Sequence, residues 1–174
     1  MKKTVFIILF SLPLLHYGQR SHIGISGGHT GDGFALLVNY NYALGQKSYI
    51  QAGAFGSFGK DTQADYNIPY SDLTANAGYF ISLYRSPDKQ MALYIGAGGV
   101  GGYESINKGS NELRTGALVD AESKMIYGGF AGVELNVFLK ENLSFYGVIN
   151  EYYHINSDIG NLVFYGGIGI AYFL

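Results

Sequence analysis

Residues 124–139, "KMIYGGFAGVELNVFL", alternate with a period of two along almost their whole length. Met125, Tyr127, Ala131, Val133, Leu135, Val137 and Leu139 fall on one face, and Gly128, Phe130, Gly132, Glu134 and Asn136 on the other. Successive side chains of a strand point to opposite sides, so the stretch reads as one extended strand with a bulky apolar face and a small or polar one. Its length adds a second constraint. Strands of globular sheets usually run to about five or six residues, whereas a strand that crosses a membrane needs about nine to eleven.

The same pattern recurs on both sides of this stretch. Strands are predicted over 22–29, 33–44, 48–58, 72–85, 91–103, 124–139, 143–155 and 162–174, and no segment shows a sustained helical period. In the last, Leu162, Phe164, Ile168, Ile170, Tyr172 and Leu174 oppose Gly167, Gly169 and Ala171. In the second, Phe34, Leu36, Val38, Tyr40, Tyr42 and Leu44 oppose Asn39 and Asn41. A water-soluble barrel would carry Lys, Glu and Thr on its outer face, and these strands carry almost none. The pattern instead puts the apolar face against lipid and the Gly, Asn, Ser and Tyr face inside a narrow lumen. Closure into a barrel then satisfies every backbone polar group within hydrocarbon. The expected fold is all-β: an eight-stranded antiparallel up-and-down transmembrane β-barrel of the outer-membrane type, one domain over 20–174.

Composition agrees. Charged residues are 14% of the chain, against about 25% in an ordinary soluble domain. Glycine, at 26 of 174 residues, is roughly double its usual share of about 7%. Residues 1–19, "MKKTVFIILFSLPLLHYGQ", have the basic start, short apolar run and small-residue end of a signal peptide. Without Lys2 and Lys3, nine basic residues face thirteen acidic ones, a formal charge of −4. That balance argues against direct nucleic-acid binding, which needs clustered Lys and Arg. The chain has no cysteine, and so neither disulfides nor thiolate metal ligands. The expected location is the outer membrane of a Gram-negative bacterium, with outer-membrane lipid as the first partner.

The connections alternate in length. With both termini on the periplasmic side, the turns at 45–47, 86–90 and 140–142 face the periplasm and are short. The connections at 59–72, 104–123 and 156–161 face outward, as longer extracellular loops do in such barrels. The longest supplies mixed charge from Glu104, Lys108, Glu112, Arg114, Asp120 and Glu122, which makes it the candidate contact surface. Asn39, Asn41, Glu134 and Asn136 are assigned to the barrel interior. A buried carboxylate is costly unless paired, and Arg85, Lys124 and Lys140 are the cations at roughly suitable heights for Glu134. Glu151 breaks the alternation by falling on the lipid side, which calls for headgroup depth or a bulge that flips the register. Tyr49, Tyr79, Tyr84, Tyr94, Tyr127, Phe138, Tyr146, Tyr152, Tyr153, Tyr172 and Phe173 lie near strand ends, where aromatic girdles are expected.

Catalytic signals are weak. "GAGGVG" at 96–101 fits G-x-G-x-x-G, but the text after it lacks the apolar stripe of the helix that a dinucleotide site requires. His154 and Ser157 lie close together at an outer strand end, and some barrels of this size use His and Ser to act on lipid A. The spacing here is "HINS", and no orienting acid is identifiable. The loop Asp and Asn residues reproduce no calcium-loop spacing. The expectation is a protein that is not an enzyme and has no catalytic residue, metal, cofactor or small-molecule substrate.

"GYESINKG" at 102–109, "GALVD" at 116–120 and "MIYGGFAGVELNVFL" at 125–139 resemble the TraO family of conjugative-transposon proteins of Bacteroides-type bacteria. The resemblance implies an envelope component of a conjugative DNA-transfer apparatus, with other transfer proteins as partners and a structural or interaction role. It carries over no catalytic motif. The competing readings are a stand-alone outer-membrane barrel that binds a surface ligand and a lipid-modifying outer-membrane enzyme.

Overall fold

A computed structural model of the chain describes residues 21–63, 66–110 and 121–174. The signal peptide expected at 1–19 lies outside the described residues.

Among the described residues eight strands are formed: β1 (His22–Thr30), β2 (Gly33–Ala43), β3 (Ser48–Gln63), β4 (Tyr66–Arg85), β5 (Met91–Ile106), β6 (Lys124–Lys140), β7 (Leu143–His154) and β8 (Leu162–Phe173). Each pairs antiparallel with the next, and β1 pairs with β8 from His22 opposite Phe173 to Thr30 opposite Tyr165. The sheet therefore closes on itself as a barrel. That closure is what allows a sheet to sit in hydrocarbon, where an unpaired backbone group costs several kcal/mol. Ser21, Leu174 and the turns between β2 and β3, β4 and β5, and β6 and β7 gather at one end, tied by a Leu174 N–H to Ser21 carbonyl bond of 2.8 Å. By the usual asymmetry of such barrels this is the periplasmic end.

The two strand faces separate as the alternation requires. Ile23, Ile25, Leu36, Val38, Ile50, Leu73, Ile81, Val133, Leu135, Ile149, Ile168 and Ile170 point outward and are exposed. Inside, Phe55, Phe80, Phe130, Tyr49, Tyr94, Tyr146, Tyr152 and Tyr165 form one packed cluster. Phe55 stacks on Tyr152 at 4.4 Å, Tyr152 on Phe130 at 5.5 Å, and Phe130 tilts against Phe80 at 6.3 Å. Phe80 stacks on Tyr49 at 5.0 Å, and Tyr49 meets Tyr94 edge-on at 5.1 Å. A ladder of rings thus fills the middle of the lumen, as expected for a barrel of eight strands. The glycines of "GAGGVG" make room for it: a Cβ on Gly96 would run into the Phe80 ring, and one on Gly98 would lie 2.7 Å from Phe130.

Three expectations need correction, and one pair of alternatives is narrowed. First, β3 and β4 continue as a paired hairpin through much of 59–72, from Gly59 opposite Tyr70 to Gln63 opposite Tyr66. Beyond the membrane a strand needs no apolar face, so its sequence loses the alternation while its backbone pairing persists. Pro69 is tolerated because β5 pairs with β4 only from Tyr70 inward, leaving Pro69 on an edge.

Second, of the two alternatives for Glu151 the bulge is removed: it sits opposite Ala131 and Phe164 in unbroken register and points outward, three residues from the outer end of β7. The irregularities fall instead at Ser82/Tyr84 and Phe138/Lys140, near the periplasmic end. Third, Tyr49, Tyr94, Tyr146 and Tyr152 are interior residues, not girdle residues; Tyr79, Tyr84, Tyr127, Tyr153 and Tyr172 are the exposed ones. Fourth, β5 extends to Ile106, so Glu104 belongs to a strand and not to a solvated loop.

Candidate functional site

The extracellular mouth is built by the connection between β7 and β8, which folds back over β5 and β6. The Asn156 side chain accepts the Tyr127 N–H at 3.2 Å and donates to the Met125 carbonyl at 2.7 Å, so it acts as an extra rung on β6. Asn161 closes the loop on itself by donating to the carbonyls of His154 and Ile155, at 2.7 and 3.2 Å. Between them, the Ser157 hydroxyl donates to Glu104 Oε2 at 2.5 Å and the Asp158 N–H to Glu104 Oε1 at 3.3 Å. Lys124 Nζ pairs with Asp158, and the Glu122 N–H donates to Asp158 Oδ2 at 3.3 Å. Lys124 and the Glu122 N–H hold the Asp158 carboxyl below the usual carboxylate range. Ile68, Ile106, Ala121 and Ile159 form a small apolar patch beside this network.

Of the proposed contact residues, Glu104 is 1% exposed and serves to anchor the lid from below. An inward strand position next to two lid donors explains why it is not available to a partner. Glu122 is exposed at the rim. Glu112, Arg114 and Asp120 lie outside the described residues, as does the side chain of Lys108.

Beneath the lid, Ser57 donates to Asp72 Oδ2 at 3.0 Å. Both ring nitrogens of His154, the hydroxyls of Thr30 and Thr74, and Asp72 Oδ1 have no hydrogen-bond partner among the described residues. Ser157 is therefore engaged by a carboxylate and not by His154. No group of three or more His, Asp or Glu among the described residues could hold a metal ion.

Asn39, Asn41, Glu134 and Asn136 are all buried inside the barrel, toward its periplasmic half. Asn136 donates to Glu134 Oε1 at 2.6 Å and accepts from the Ser144 hydroxyl at 3.1 Å, and the Tyr49 hydroxyl lies beside the Glu134 carboxyl. Asn41 meets the His22 ring nitrogen at 2.6 Å. None of the three cations considered for Glu134 reaches it. Arg85 donates to the Tyr94 hydroxyl at 2.9 Å, Lys124 is committed to the lid, and Lys140 is exposed. The inward carboxyl has the Asn136 amide and the Tyr49 hydroxyl as its neighbours instead.

Below this layer lies a vestibule of about 500 Å³ that opens at the periplasmic end, lined in part by His22, Tyr49, Arg85, Lys89, Tyr94 and Phe173. The sequence suggests Arg85 as a partner for Glu134 and Tyr94 as a membrane-interface residue. Only the register of β4 against β5 brings the two together.

The family model described as conjugative transposon protein TraO matches residues 26–174. The chain belongs to the TraO family. No curated protein matches it significantly in sequence. Among solved structures, the TraO chain is similar to a major outer membrane protein of Thermus thermophilus, with a TM-score of 0.66 at 12% identity over 91% of this chain and 100% of that one. Neisserial surface protein A aligns with a TM-score of 0.59 at 10% identity, covering 90% and 97%. The N-terminal β-barrel domain of Pseudomonas aeruginosa OprF aligns with a TM-score of 0.58 at 11% identity, covering 90% and 98%. At such identities these structures establish the TraO chain as an outer-membrane β-barrel fold and nothing narrower.

Proposed function

We propose that this TraO-family barrel is a non-catalytic outer-membrane component of a conjugative DNA-transfer apparatus, working through contacts with other transfer proteins. The observation that carries this reading is the aromatic ladder within a TraO-family chain. With Phe55, Phe80, Phe130 and Tyr152 packed across the lumen, the barrel serves as an anchor or contact surface and not as a conduit for DNA or protein. Its negative formal charge outside the signal region gives it no electrostatic footprint for nucleic acid. Export by the N-terminal signal belongs to the same proposal, and N-terminal sequencing of the mature protein should begin near Gln19 or Arg20.

The test is deletion of the gene followed by complementation. Mating frequency should fall on deletion and return with the wild-type gene. Unchanged transfer, or the absence of transfer genes beside it, would overturn the reading in favour of a stand-alone ligand-binding barrel. The non-catalytic assignment is supported by Ser157 being tied to Glu104 and by the burial of His154. His154→Ala should leave the acylation of lipid A unchanged; an altered lipid profile would make the protein a lipid-modifying enzyme.

A further inference from the structure

The periplasmic vestibule is blind. Its floor is Tyr49 and Tyr94, both nearly fully buried, with Phe80 stacked directly behind Tyr49. One wall is aromatic: His22 stacks on Phe173 at 4.5 Å, and Phe173 tilts against Phe138 at 5.3 Å. Entry is from the periplasm alone, because the ring ladder fills the barrel above.

Two cations line this mouth, Arg85 and Lys89, and among the described residues no carboxylate forms an ion pair with either. Arg85 spends one of its five donors on the Tyr94 hydroxyl, which holds the guanidinium against the pocket. Lys89 also lines the cavity, on a turn where its φ is 58°. That left-handed conformation is ordinarily filled by Gly or Asn, so a lysine is held there against its backbone preference. The acid of the same turn, Asp88, is occupied by the Ser86 hydroxyl and the Gln90 N–H, at 3.2 Å for the latter. Glu141 lies exposed in the next turn, and Glu134 lies at the level of the floor, opposite Tyr94 in the register and engaged by Asn136. Gln46 and Ser48 complete the rim with an amide and a hydroxyl.

A cationic fork beside aromatic walls, with amide-binding groups at the rim and a closed floor, is complementary to an anion carried on an apolar amide-containing body. A planar guanidinium matches a carboxylate in particular, because its parallel donors bind both oxygens. We propose that the vestibule binds the carboxyl-terminal residue of an extended peptide presented from the periplasm. The carboxylate lies on Arg85 and Lys89, and an apolar or aromatic side chain packs between Tyr94, Phe138 and Phe173. At the opposite mouth the cation Lys124 is already paired with Asp158.

The chain has no tryptophan, so tryptophan fluorescence reports the probe alone. The test uses the intact barrel in lipid nanodiscs, titrated with N-acetyltryptophan and with its uncharged amide. The acid should bind saturably with a blue-shifted emission, and the amide about tenfold or more weaker, as expected when a charge-assisted hydrogen bond is lost. An Arg85→Gln/Lys89→Gln double variant should abolish the difference between acid and amide. Lys124→Gln, at the other mouth, should preserve it. Heat-modifiable gel mobility confirms that each variant is folded. Equal binding of acid and amide, or a preference that survives in the double variant, would overturn the proposal. Stronger binding of octanoate than of N-acetyltryptophan would overturn the peptide assignment. Binding is read on the isolated barrel, so a negative result leaves the transfer role standing, and unchanged mating frequency leaves the site standing.

Discussion

Glu134 shows at the scale of one residue how this interior tolerates a carboxyl group. Its carboxyl sits in β6 opposite Val148, buried, with Asn136 and Tyr49 as its polar neighbours and no ion pair to a cation among the described residues. Removing only the carboxyl leaves the Asn136 amide without its acceptor, and an unsatisfied buried polar group costs about 1–3 kcal/mol. Glu134→Ala should therefore lower stability by about that amount, read as the midpoint of urea unfolding in micelles. Glu134→Gln keeps an acceptor for Asn136 and should stay within about 1 kcal/mol of wild type. If both variants lose equally, an acceptor for Asn136 is not what the carboxyl supplies and the hydrogen-bond account fails. The burial of Glu134 was legible in the alternation of 124–139. Its partners were not, because the nearest candidates in sequence height, Arg85 and Lys140, are directed away by β4 and by the irregularity at Phe138/Lys140.

At the scale of an element, the β7–β8 connection is held by side chains and not by regular backbone pairing. Asn156, Ser157, Asp158 and Asn161 each make a named bond to a strand or to the loop's own base. Asp158 is held below the usual carboxylate range mainly by Lys124. A group with a depressed folded value contributes stability above its unfolded value of 3.8 and loses it as pH falls through the folded value. The loop clamp should loosen only in acid below that range, seen as faster proteolysis at 155–161 by an acid-active protease. Asp158→Asn should cleave readily at all pH values and show no such transition. Because the pair is exposed, global unfolding should hardly change. The sequence marks this loop but not its anchor. Glu104 looks like a solvated loop residue there because the alternation of β5 fades where the strand leaves the membrane.

At the scale of the whole molecule, stability and closure of the lumen share one structure, the ladder of interior rings. Phe55 and Tyr152 stack at its centre, and truncating a buried aromatic costs about 3–5 kcal/mol. Phe55→Ala should lower the unfolding midpoint by an amount in that range while leaving heat-modifiable mobility intact. A loss under about 1 kcal/mol would mean that the rings are loosely packed. In planar bilayers the wild-type barrel should show no stable conductance. A steady open channel would contradict the filled lumen and remove the argument against a conduit.

The sequence alone determined the strand count, the antiparallel order and the assignment of apolar side chains to lipid. A period-two pattern is a local property, repeated eight times, and closure is the remaining way to satisfy the backbone in hydrocarbon. It also carried the family resemblance, on motifs between 102 and 139. The tertiary structure decided which aromatics form the ladder and which face outward, where β3 and β4 continue beyond the membrane, and that Glu104 supports a lid. It also decided that Arg85 and Lys89 line one aromatic pocket. Those outcomes depend on register between strands distant in sequence, and a one-residue shift in register would exchange every inward side chain for an outward one.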